Sequence, residues 1–251
     1  MGVIGKIIGG TIGFALGGPL GAVAGAVFGH AFDSENEIVR EPPRPPLSSL
    51  QESQLAFFVG TFSMLAKLVT SDDQLNRDEI AVIEDFAAND LGLNPTDRQV
   101  AFNIFHAAMN SPARFEDFAI QFYGHFQNQP QMIEMMVDIL LRVGAADGAI
   151  EVAEETLILS AVRIFHFSTS RYDQLKSKYV NTTDHLYDVL GCKPSDNMDE
   201  IKRRYRHLVH TYHPDKIAGK GLPDEFTQLA EDKFREIQSA YETIKKEKGV
   251  S

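Results

Sequence analysis

The sequence predicts an all-α protein in three blocks, and three observations carry that reading. The first 32 residues contain a long uncharged, glycine-rich run. From about Ser49 to Val180, apolar residues recur at helical spacing, with no alternating strand pattern of consequence. Near the end, two amphipathic stretches, Met198–Asp215 and Pro223–Lys246, carry an apolar residue at every third or fourth position. The expected division is an anchor over 1–32, an acidic and proline-rich linker over 33–48, a helical domain over 49–180 and a helical hairpin over 184–251. A chain of 251 residues, 43 % hydrophobic, can build such cores.

Charge and cysteine content narrow the class. A formal net charge of −11 argues against general nucleic-acid binding, which needs clustered Lys and Arg to neutralise phosphates. The acidic excess is local: residues 1–183 hold 12 basic and 22 acidic side chains, and residues 184–251 hold 12 and 13. One cysteine, Cys192, excludes an intramolecular disulfide and any set of CxxC zinc repeats.

The anchor comes first. From Ile7 to Phe32 no residue is charged. As helix these positions would reach roughly 39 Å, enough to cross a ~30 Å hydrocarbon layer with tilt. Gly5, Gly9, Gly13, Gly17, Gly21, Gly25 and Gly29 recur at every fourth position. Such a strip lets two helix backbones approach closely in lipid, so a glycine-zipper transmembrane helix that forms a homodimer is expected. Two alternatives are a cleaved signal peptide and a short helical hairpin turning at Gly17-Gly18-Pro19. Gly2 is followed by Lys6 where a myristoylation motif needs Ser or Thr. Charges flank both ends of the run, so composition does not orient it. Beyond it, Glu41-Pro42-Pro43-Arg44-Pro45-Pro46 forms a stiff spacer.

In the middle block, helices are expected near 50–69, 77–90, 96–109, 112–125, 130–146, 150–166 and 169–179. The rows containing Phe57, Phe58, Phe62, Phe86, Phe102, Phe105, Phe118, Phe122, Phe126, Phe165, Met132, Met135 and Met136 are read as core, with a client-binding or dimer groove as the alternative. His106, His125 and His166 stand apart, without the partner spacing of a metal site. An internal echo places Asp72, Leu75 and Glu79 in the same register as Asp147, Ile150 and Glu154. This resembles the pseudo-repeat of tellurite-resistance TerB-like domains. Asp72, Asp147, Glu79 and Glu154 are candidate ligands for a hard cation. Helix-start chemistry, with Asn76 and Glu79 as a capping pair, is the reading preferred over a metal site.

The last block has its ends written into it. His185-Leu186-Tyr187-Asp188-Val189-Leu190 reads as a short helix stopped by Gly191. In Met198–Asp215, Ile201, Tyr205, Leu208 and Tyr212 form one stripe; Arg203, Arg206, His207 and His210, flanked by Lys202 and Arg204, form a cationic strip on the other side. Asn197 with Glu200 is an N-cap pair, and Pro214 disfavours helix at His213. From Pro223 to Lys246, Phe226, Ala230, Phe234, Ile237, Tyr241 and Ile244 mark a return helix. No nucleophile or phosphate-cradling loop accompanies His213-Pro214-Asp215, so the bend reads as a docking device and not an active site, with no cofactor.

The order LYDVLG, IKRRYRHL, HPDK and KFREIQSAYETI resembles the J-domain of DnaJ-type co-chaperones, over about residues 184–247. That resemblance implies docking on a DnaK-type ATPase, whose ATP hydrolysis the bend would stimulate. Carried over by position, His213, Pro214 and Asp215 are the trigger; Lys202, Arg203, Tyr205, Arg206, His207 and Lys216 are the contact residues. Glycine anchor, TerB-like middle and C-terminal J-domain in this order resemble the DjlA-type membrane proteins. The resemblance implies a single-pass inner-membrane protein with residues 33–251 in the cytoplasm, beside the ATPase. A metal- or stress-sensing TerB-like scaffold, with the J-domain as adaptor, is the alternative. Only Asn181-Thr182-Thr183 separates middle and J-domain, whereas related proteins have a long tether. That shortness argues against free swinging.

Overall fold

Ser48 opens the helical bundle by local chemistry. Its hydroxyl accepts from Gln51 N while Gln51 Oε1 accepts from Ser48 N, satisfying two donors that a helix start leaves orphaned. The structure, a computed structural model, describes residues 16–33, 47–71, 77–146, 150–180 and 185–248. All regular elements among them are helical.

The N-terminal helix α1 is Gly18–Asp33. The bundle follows as α2 (Ser49–Val69), α3 (Arg77–Asp85, continued by a π turn at Phe86–Asp90), α4 (Pro95–Met109), α5 (Phe115–Phe126), α6 (Pro130–Gly144), α7 (Val152–Ile164) and α8 (Thr169–Val180). The C-terminal unit contains α9 (His185–Leu190), α10 (Met198–Thr211), the short α11 (Pro214–Ala218), a 3₁₀ turn at Asp224–Phe226, and α12 (Thr227–Glu247).

Helix α2 is the axis of the bundle. Phe57, Phe58, Phe62, Met64 and Leu65 are buried on it, and α4, α5 and α6 pack around it. The Phe57 ring meets Phe122 at 5.6 Å and Phe126 at 5.7 Å, so the aromatic rows of α2 and α5 close on each other. These rows are core, as their spacing implies, except Phe102, which is half-buried at its edge; Met132, Met135 and Met136 are buried too. Asn94 caps α4 by accepting from Thr96 N and Asp97 N, with Pro95 at the first helical position.

The anchor departs from a single continuous span. Gly17 and Gly18 have φ of +56° and +53°, and Pro19 disfavours helix in the residue before it, so the chain turns there and α1 starts afresh. Gln121 of α5 secures the turn. Its amide donates to Leu16 O and Gly17 O, and its oxygen accepts from Leu20 N. Leu16, Leu20, Val23, Ala24 and Phe28 are buried, and α1 packs on α2, α4 and α5. At 16 residues it is short; no helix among the described residues is long and apolar enough to cross a membrane. Of the glycine strip, Gly17 lies in the turn and Gly21 is buried. Gly5, Gly9 and Gly13 lie outside the described residues.

In the C-terminal unit, α9, α10 and α12 pack together as a hairpin with a small helix at its side. Ile201, Leu208 and Tyr212 of the α10 stripe are buried, against Ile237, Ala240, Tyr241 and Ile244 on the return helix. This unit sits on the bundle. Phe226 is fully buried and meets Phe57 edge-on at 5.0 Å, and Gln54 Nε2 donates to Leu222 O. Gly221, at φ +94°, passes so near α2 that a Cβ there would lie 2.5 Å from Ser53 Cβ. Only glycine fits that crossing.

Candidate docking site

The bend is built from backbone outward. Tyr212 N still donates to Leu208 O, closing α10; Lys216 N and Ile217 N then both donate to His213 O, so His213 caps α11 with its carbonyl. Pro214 occupies the first helical position, where a missing N–H costs nothing. Buried Tyr212, Ile217 and Leu222 pin the bend from beneath. The side chains of His213 and Asp215 remain outside: 47 % and 91 % of their surface is open. His213 Nδ1 lies 3.8 Å from the Asp215 carboxylate, and the imidazole meets Phe234 of α12 edge-on at 5.8 Å. The result is a hydrogen-bonded turn that offers an imidazole and a carboxylate to solvent.

Along α10, Asn197 accepts from Glu200 N, which is half of the expected capping box. The Glu200 carboxylate instead turns to Arg203 at 3.3 Å, an exposed pair that contributes little. Lys202, Arg206 and His207 are exposed, and among the described residues no ion pair neutralises Lys202 or Arg206. The strip is therefore available to an acidic partner. Tyr205 is different: it lies flat on Tyr241, centroids 3.9 Å apart and planes within 7°, so its ring holds α10 to α12. Lys216 Nζ is in hydrogen-bond contact with His210 Nε2, linking bend to strip. A cleft of about 490 Å³ runs beside the strip, lined by Arg203, Arg204, His207 and Thr211 with Arg171 and Glu134 of the bundle.

Of the four metal candidates, only Glu154 has a described side chain. Asp72 and Asp147 lie outside the described residues, and the Glu79 side chain is likewise not described. The Glu154 carboxylate accepts from Glu151 N at the start of α7, the capping role. No group of three or more potential ligands for a metal ion occurs among the described residues. His106 and His166 are exposed and His125 is half-buried. Cys192 is buried, and loss of solvation pushes its thiol up to about 11.

The seam between bundle and C-terminal unit carries a charge network that sequence reasoning missed. Lys233 Nζ donates to Asp138 Oδ2 at 2.7 Å and lies 3.7 Å from Glu134; Lys178 Nζ reaches Glu236 at 3.0 Å and Asp138 at 3.7 Å; Arg171 bonds Glu134 at 2.8 Å. The Lys233 ammonium also stands over the Tyr212 ring, 4.8 Å from its centroid. Burial alone would raise the Asp138 carboxyl, but Lys178 and Lys233 outweigh it and hold it well below the usual carboxylate range. Glu134 is lowered for the same reason, by Arg171 and Lys233 against its burial. One signal was present in the sequence. Glu134 and Asp138 are the two acids of a mostly apolar helix, one turn apart, and such residues need partners when buried.

Comparison with known proteins places these parts in a known order. Residues 1–51 match the family model described as the co-chaperone DjlA transmembrane domain, 58–177 that of the tellurite resistance protein TerB, and 185–249 the DnaJ domain. The chain is similar to the co-chaperone protein DjlA of Escherichia coli (strain K12), 29% identical, with 79% of this chain and 82% of the relative covered. Similarity to the co-chaperone protein DjlA of Shewanella oneidensis is 25% over 81% of this chain and 82% of that one. No solved structure matches.

Proposed function

We propose, for a chain that belongs with the DjlA-type proteins in carrying an anchor, a TerB-like bundle and a J-domain in that order, the work of a membrane-anchored co-chaperone that docks on a DnaK-type ATPase and stimulates its ATP hydrolysis. The observation that carries this reading is the bend. It is pinned from below by Tyr212 and Ile217, yet presents His213 and Asp215 to solvent at the end of a helix on which Lys202 and Arg206 are exposed. In this reading His213, Pro214 and Asp215 are the trigger. Lys202, Arg203, Arg206, His207 and Lys216 steer and hold the acidic surface of the ATPase, whereas Tyr205 serves by seating α10 on Tyr241. In this reading the protein acts as a regulator of the ATPase, which the match of residues 185–249 to the DnaJ domain supports.

The domain division follows the same reading: anchor to residue 32, linker to 48, bundle to 180 and J-domain from 184. The uncharged run Ile7–Phe32 would cross the inner membrane once, leaving 33–251 in the cytoplasm where a DnaK-type ATPase is found, and its glycine strip would pair two copies. Steady-state binding of the ATP-loaded ATPase to the full chain in nanodiscs tests the docking. With Lys202→Glu and Arg206→Glu together, affinity is expected to fall roughly 10- to 100-fold and to lose much of its salt dependence. Unchanged affinity and salt dependence would sink the reading.

A further inference from the structure

The seam reaches the bend by two one-residue steps. Tyr212, fully buried beneath Lys233, is the residue immediately before His213. Lys233, buried on Asp138, immediately precedes Phe234, the ring against which the His213 imidazole rests. Both supports of the trigger therefore lead through Lys233 of α12 to groups of the bundle: Asp138 and Glu134 on α6, braced in turn by Lys178 and Arg171 on α8. In this pose the bend and the strip face solvent. Without the acids, the Lys233 ammonium would lose its partner in a buried place and would have to reach for water, carrying Phe234 and Tyr212 with it.

We propose that Glu134 and Asp138 of the TerB-like bundle are positioning residues for the co-chaperone trigger, fixing the orientation of His213-Pro214-Asp215 through Tyr212 and Lys233. The bundle is then part of the working device and not a spacer. A J-domain merely tethered to it would sample many orientations; clamped by a buried ion network and by Phe226, it presents one. Orientation matters because a misplacement of about 1 Å can cost on the order of 10²-fold in a positioned reaction.

The test rests on the docking function proposed above and uses the full chain in nanodiscs. Single-turnover ATP hydrolysis by the DnaK-type ATPase is followed across a range of co-chaperone concentration. For Asp138→Asn the maximal stimulated rate is expected to fall about tenfold. The half-maximal concentration, set by the exposed strip, should change less than about threefold. Amide exchange over Leu208–Ile217 should speed up in the same variant. Asp138→Glu should retain most of the stimulation; exchanging Asp138 with Lys233 is no rescue, because it would set a lysine against Lys178 and an aspartate against Glu134. Glu134→Gln is a milder second variant should Asp138→Asn fold poorly, and Ile158→Ala, a buried bundle residue on α7, reports general destabilisation. A wild-type rate matched by Asp138→Asn, a rate that rises, or an equal loss in Ile158→Ala at matched stability would overturn the positioning role. Absence of stimulation by the wild type would instead remove the docking function itself, and this role with it.

Discussion

Phe226 stands edge-on to Phe57, 5.0 Å between centroids, so a residue of the J-domain completes the aromatic core of the bundle. It also stands edge-on to Phe58, with centroids 6.0 Å apart. Truncating it removes a large buried ring from both units at once.

Phe226→Ala is accordingly expected to cost about 3–5 kcal/mol, the range for emptying an aromatic site in a core. The loss falls on the seam, so the two domains should unfold separately. Urea denaturation followed by two local probes, one on α5 and one on α12, checks this. One coincident transition at the wild-type midpoint would contradict it.

How much of this was legible follows from where each signal lies. Helix α10 and its bend were written locally: Asn197 at the start, apolar residues at Ile201, Leu208 and Tyr212, proline one residue past His213. The bundle helices were legible for the same reason, to within a few residues. Phe226 was read as the first member of the return-helix stripe; it belongs to a 3₁₀ turn and points into the other domain. Spacing reveals that a residue is buried, not what buries it. The π turn at Phe86–Asp90 and the five-residue α11 have no strong period of their own. The ion network joins residues 95 positions apart, Asp138 with Lys233, a pairing that no local pattern contains.

The network has a pH signature with a definite sign. Asp138 is held below its ordinary value when folded, so its contribution is complete above the unfolded value, about 3.9, and is lost as pH falls through the folded value. The stability difference between wild type and Asp138→Asn should therefore be constant from pH 7 down to about pH 5 and shrink below about pH 4. Removing one partner of such a buried network typically costs about 3–5 kcal/mol at neutral pH. Chemical denaturation at a series of pH values measures it. A difference that grew on acidification would show the sign to be wrong.

The anchor makes a separate prediction. In this structure α1 buries Leu20, Val23 and Phe28 against the bundle, while Ala22 and Ala26 face outward. If Ile7–Phe32 spans a bilayer, α1 leaves the bundle and the ties to Gln121 break. A nitroxide at Ala26 should then become accessible to oxygen and inaccessible to a water-soluble relaxation agent when the full chain enters nanodiscs. Accessibility to the water-soluble agent in nanodiscs would place α1 outside the lipid.

The most direct measurement is the ATPase itself. The full chain in nanodiscs is mixed with a DnaK-type ATPase preloaded with ATP, and single-turnover hydrolysis is compared for wild type and His213→Gln. His213 is about half exposed, and its ring touches just the surface groups Phe234 and Asp215, so the substitution should leave the fold intact. The account predicts strong acceleration by the wild type and hydrolysis at the unstimulated rate with the variant. Equal acceleration by both would contradict it.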